Sequence, residues 1–91
     1  MSLEELSNLR SQIDRVDCEI VRLLADRYFL ALKILSVKRK LNLPVSDTKR
    51  ESEVLENVIR LAEEFKVNPK YIQCIYRAII ECTVKVEEGK L

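Results

Sequence analysis

The 91-residue sequence contains no histidine and no tryptophan, one glycine (Gly89), two prolines (Pro44 and Pro69) and three cysteines. Without histidine, no side chain titrates near neutrality unless its surroundings shift it, and a Cys–His dyad is impossible. Any chemistry here is expected to dispense with a conventional proton shuttle. Cys18, Cys74 and Cys82 are odd in number and lack CxxC spacing. A zinc site would need carboxylates to complete it, so the cysteines read as reduced, mostly buried packing residues and no metal is expected.

Charge of one sign is also lacking. Sixteen basic and fifteen acidic residues leave a net +1, which argues against a general nucleic-acid binder. No apolar run approaches the roughly 20 residues that cross a bilayer. The opening MSLEELSNLR has no apolar core of the kind signal peptides carry, so the cytosol is the expected location.

The scarcity of glycine and proline leaves few places for the chain to break. Leu6, Leu9, Ile13, Val16, Ile20, Leu24, Ala31 and Ile34 recur at helical spacings and predict one helix over residues 3–41. Ser2 with Glu5 reads as a capping box, and Asn42 with Pro44 as its stop. A second helix is predicted over 48–66, with Asp47 or Thr48 as N-cap and Val54, Leu55, Val58, Leu61, Ala62 and Phe65 facing inward. A third opens at Asn68-Pro69 and runs to about Glu87, with Ile72, Ile75, Tyr76, Ile79, Cys82, Thr83 and Val86 inward. The fold class is therefore all-α, a single domain over residues 1–91 with one long and two shorter helices.

The length of the first helix has a consequence. Thirty-eight residues span roughly 57 Å at about 1.5 Å per residue. A globule of this chain length is only about 30 Å across. The apolar stripe continues to both ends of the helix, so the overhang needs a cover. A second copy related by a two-fold axis supplies it, giving an intertwined homodimer.

Two cations interrupt the stripe. At about 100° per residue, Arg27 and Lys38 both point within roughly 20° of its centre, about 16 Å apart along the axis. A buried charge without a partner costs several kcal/mol, so an internal acid or an anionic ligand is required. Glu87, at the inner edge of the third helix one turn beyond Thr83, is an acid that could pair with Lys38. Arg10 lies about 25 Å from Arg27 along the axis, too far to serve the same pocket in one chain. In an antiparallel dimer, Arg10 of the partner subunit reaches it. Arg50 and Glu51 fall in the first turn of the second helix, where free N–H groups and the dipole attract anions. The residues thus describe a pocket suited to a small dianion.

Five segments extend that reading: LR-x-x-ID-x-x-D at 9–17, LL-x-x-R at 23–27, Lys38, PV-x-D-x-x-RE at 44–51, and IIECT at 79–83. In this order and at these separations the sequence resembles the all-α (AroQ-class) chorismate mutase family over residues 6–87. The resemblance implies an intertwined dimer of three-helix chains. It also implies a Claisen rearrangement of chorismate to prephenate in phenylalanine and tyrosine biosynthesis. That reaction is pericyclic and needs no cofactor. Arg27, Arg50 and the partner's Arg10 match the family's carboxylate-binding arginines. Lys38 matches the lysine that bridges a carboxylate and the ether oxygen. Glu51 matches the acid that accepts from the ring hydroxyl, with Asp47 beside it. Thr83 stands where a small hydroxyl residue lies near a carboxylate, and Glu87 where many members have glutamine. An ionised Glu87 would repel the ether oxygen, and only the protonated acid can donate to it. Two other readings remain: an isochorismate–pyruvate lyase on the same fold, and a non-catalytic helical dimerisation module.

Overall fold

The computed structural model describes residues 2–91. Three helices follow one another: α1 Leu3–Lys40, α2 Thr48–Glu64 and α3 Pro69–Glu87. The predicted ends of the three are met within two residues. The chain divides into two units, residues 1–30 and residues 31–91.

The first unit is helical throughout its described residues from Leu3 on. Its start is capped by Ser2, whose Oγ accepts from Glu5 N at 3.1 Å. Glu4 and Glu5 place negative charge in the first turn, where the helix dipole favours it. Arg22 lies 2.7 Å from Glu19 and 3.7 Å from Asp26, pairs at the i,i+3 and i,i+4 spacings that support a helix. The apolar stripe of this unit is uncovered within one chain: Leu6, Leu9, Ile13, Val16, Ile20 and Leu24 are all exposed. Among the described residues of the unit, only Arg27 is half-buried.

The second unit contains the end of α1 with α2 and α3. Its core is small: Ala31 and Leu35 from α1 and Val58 and Ala62 from α2 are buried, joined by the acidic Glu87 of α3. Ile72, Tyr76, Ile79, Thr83 and Val86 of α3 are half-buried, as predicted for its inner face. Four inward expectations differ, Cys82 among them. Leu61 and Ile75 are partly exposed, and Phe65 is 74% exposed at the α2–α3 turn. All three cysteines are free thiols, but each is exposed, not buried. Cys18 has no neighbouring helix to pack on within its unit. Cys74 and Cys82 lie outside the row of half-buried residues on α3.

Each helix ends in the same way. The residue after the last turn takes a left-handed conformation: Asn42 at φ 56°, Lys66 at φ 58° and Gly89 at φ 76°. The amides that follow reach back to the helix. Leu43 N donates to Lys38 O at 2.8 Å, Val67 N to Ala62 O at 2.9 Å, and Lys90 N to Lys85 O at 2.8 Å. These are the six-to-one bonds of a Schellman stop, which satisfy carbonyls that the helix leaves unpaired. Two helices also begin on predicted caps. Asp47 accepts from Arg50 N at 3.0 Å, and Asn68 from Lys70 N at 2.9 Å with Pro69 just inside the helix.

Candidate active site

Arg10 and Arg27 belong to the first unit. Arg10 is exposed on α1. Arg27 is the stripe cation that α1 half-covers.

The other six residues belong to the second unit. Lys38 sits in the last turn of α1 with its side chain only 17% exposed. Its ammonium donates to Glu87 Oε2 at 3.0 Å and to the carbonyl of Val45 at 2.9 Å. Glu87 ends α3 and is the one buried charged residue among those described. The predicted internal acid is therefore present, and the contact is a charge-assisted bond between largely desolvated groups. The Val45 carbonyl was not legible in the sequence, because a loop backbone group carries no side-chain signal. It ties the end of α1 to the segment that leads into α2.

Asp47 is exposed, and its carboxylate is occupied as the N-cap of α2. Arg50 is exposed and leans along the helix surface toward Glu53 at 3.6 Å. That neighbour follows from the i,i+3 spacing. Thr83 is half-buried and its Oγ1 donates to Ile79 O at 2.8 Å, the back-bond a threonine makes within a helix. Glu51 is half-buried and lines an open groove of about 630 Å³ between α2 and α3. Leu55, Ile80 and Val84 form its apolar floor. Ile80 and Val84 lie within one turn of Thr83 and Glu87, so the apolar surface adjoins the polar cluster. Helical spacing alone could have picked out these two residues.

Chemically, the second unit presents a desolvated ammonium held by two acceptors, with an arginine in the first turn of α2 nearby in sequence. Neither a nucleophile with its base nor a metal-ligand cluster is needed to describe it. A desolvated ammonium with its donors held by named acceptors is suited to receiving a carboxylate-bearing ligand.

Comparison with known proteins identifies the family. Residues 9–88 match the family model described as chorismate mutase type II. The chain is 43% identical over 89 residues to the bifunctional chorismate mutase/prephenate dehydratase of Aquifex aeolicus, covering 94% of this chain and 25% of that protein. It is 32% identical over 83 residues to the protein of the same name from Escherichia coli K12, covering 91% and 22%. It is 30% identical over 79 residues to the chorismate mutase of Methanocaldococcus jannaschii, covering 87% of this chain and 80% of that protein. The chain thus spans about a quarter of the bifunctional relatives' length. With the match running from α1 to the end of α3, through Lys38 and Glu87, the chain belongs to the chorismate mutase type II family.

Proposed function

We propose that this chain is a chorismate mutase, rearranging chorismate to prephenate by holding the substrate rather than by forming a bond to it. The observation that carries the proposal is Lys38. An ammonium is kept largely out of water at the end of a helix face that Arg27 alone otherwise interrupts, within the family match. A purely structural dimer would gain little from it, since apolar residues there are usually as stable or more so.

In this reading, residues 1–91 act as one mutase domain in a homodimer. A second copy covers the exposed stripe of α1 and brings the partner's Arg10 to the site. Covering a large aliphatic side chain contributes about 1.5–3 kcal/mol, and six such residues lie uncovered on α1. Arg27, Arg50 and the partner's Arg10 hold the substrate's two carboxylates, Asp47 and Glu51 orient the ring, and Thr83 lies against a carboxylate. Clamping both carboxylates selects the folded conformer in which the reacting carbons meet, so much of the rate comes from positioning. As the ether C–O bond stretches, negative charge grows on oxygen. Lys38 and a protonated Glu87 donate to that oxygen more strongly in the transition state than in the ground state, which lowers the barrier.

In the structure Lys38 donates to Glu87, which accepts. Substrate must therefore draw Lys38 away from Glu87, and Glu87 must take up a proton to change from acceptor to donor. The test is the loss of chorismate absorbance with purified protein, with prephenate and pyruvate assayed in parallel. Prephenate without pyruvate is expected. Pyruvate release from isochorismate instead would make the chain a lyase, and no turnover by a folded dimer would leave only a helical association module.

A further inference from the structure

The near-neutral net charge conceals a steep local imbalance. Residues 31–50 hold six basic side chains, Lys33, Lys38, Arg39, Lys40, Lys49 and Arg50, against one acid, Asp47, a net +5. The other 71 residues hold ten basic and fourteen acidic side chains, a net −4. The positive segment is the last turns of α1, the connecting loop and the first turn of α2. Lys38 and Arg50 within it belong to the site already described. Arg39, Lys40 and Lys49 do not. All three are exposed, and none forms an ion pair among the described residues. This contrasts with Arg22, Arg50, Lys85 and Lys90, each of which has an acid within 4.0 Å. Asp47, the single acid of the segment, is occupied by the Arg50 amide.

The fold keeps these cations around one point. Leu43 N returns to Lys38 O, and the Lys38 ammonium holds the Val45 carbonyl, so the loop is folded back on the end of α1. Arg39 and Lys40 directly follow Lys38, and Lys49 directly precedes Arg50.

We infer that Arg39, Lys40 and Lys49 form an electrostatic collar that concentrates a dianionic substrate at the Lys38 site without touching it. The inference rests on the mutase reading above. Its physical basis is the long reach of charge in weakly screened water. For a dianion about 10 Å away, Coulomb's law at an ionic strength of about 10 mM gives each cation roughly a two- to threefold effect on local concentration. Three such cations give about tenfold. The Debye length shrinks to about 3 Å near 1 M salt, which removes the effect. Substrate and product carry the same charge, so the field acts equally on bound ground state and transition state. It lowers KM and leaves kcat alone.

The experiment compares the full-length parent with the triple variant Arg39→Gln/Lys40→Gln/Lys49→Gln over a salt series with chorismate. A control, Arg60→Gln/Lys66→Asn/Lys70→Gln, removes the same charge from around the turn between α2 and α3. The expected result is a KM raised about tenfold at about 10 mM ionic strength. The gap should close to less than about twofold at about 0.5 M. The kcat should be unchanged and the control should behave like the parent. Equal KM for parent and triple variant at low salt overturns the inference. So does a gap that persists at high salt, which would indicate direct contact, or a control that loses as much. A parent that turns over no chorismate at any salt removes the mutase reading, and the collar falls with it. A parent that turns over normally with no salt-dependent gap removes the collar alone.

Discussion

Lys38 and Glu87 hold each other at 3.0 Å with little water around either. In the proposed reaction Glu87 serves only when it carries a proton, because an ionised carboxylate has nothing to donate and repels the growing charge on the ether oxygen. A glutamine donates through its amide without needing a proton, so Glu87→Gln is expected to match or exceed the parent in kcat/KM for chorismate when the two are assayed side by side. A Glu87→Gln enzyme that loses most of the parent's activity would show that the reaction does not use a donor at this position. The pairing of these two residues was legible in the sequence, since each is a charge on a face that periodicity assigns to the interior. The Val45 carbonyl was not, because only the fold of the loop brings it to the ammonium.

At the scale of the helix, the beginnings were easier to read than the ends. Asp47 and Asn68 are cap residues by type, and the structure uses both. Asn42 and Gly89 are likewise residues that accept a positive φ, and each marks a stop. Lys66 is not such a residue. Nothing in its chemistry predicts φ 58°, yet the Val67 amide closes onto Ala62 O just as at the other two ends. The predicted helix accordingly runs two residues past the observed end at Glu64. A side chain with a Cβ costs about 1–2 kcal/mol in the left-handed region, and part of that is offset by glycine's greater freedom when unfolded. Lys66→Gly is therefore expected to stabilise the protein by about 0.5–1 kcal/mol. For a chain of this size that is a rise in Tm of about 2–8 °C. Parent and variant are compared in melts at equal protein concentration, because association would make Tm concentration-dependent. A lower Tm for the variant would mean that the lysine side chain contributes something the stop itself does not need. The exposed cysteines and Phe65 were misread for a related reason. Period alone locates a face, but how far the neighbouring helix reaches along it depends on tertiary packing.

For the whole molecule, the decisive feature is a 38-residue helix whose first 28 residues form a unit of their own with an uncovered apolar stripe. A single chain has no core to offer there, and the proposed site is short of one arginine without a second copy. Sharing of sites between subunits has a consequence that simple dimerisation lacks. Arg10→Ala and Arg27→Ala homodimers should each lose most activity, at least about a hundredfold in kcat/KM, since each lacks a carboxylate clamp at both sites. Mixed, the two variants form a heterodimer in which one site lacks both arginines and the other lacks neither. Unfolding and refolding an equimolar mixture gives about half heterodimers by random pairing, each with one intact site out of two. Activity should therefore return to about a quarter of the parent's per chain. A mixture that stays as inactive as its components, while size and light scattering confirm that exchange took place, would place Arg10 and Arg27 in the same site of the same chain. That arrangement contradicts the roughly 25 Å of helix between them, so complementation tests the helix geometry and the shared site together.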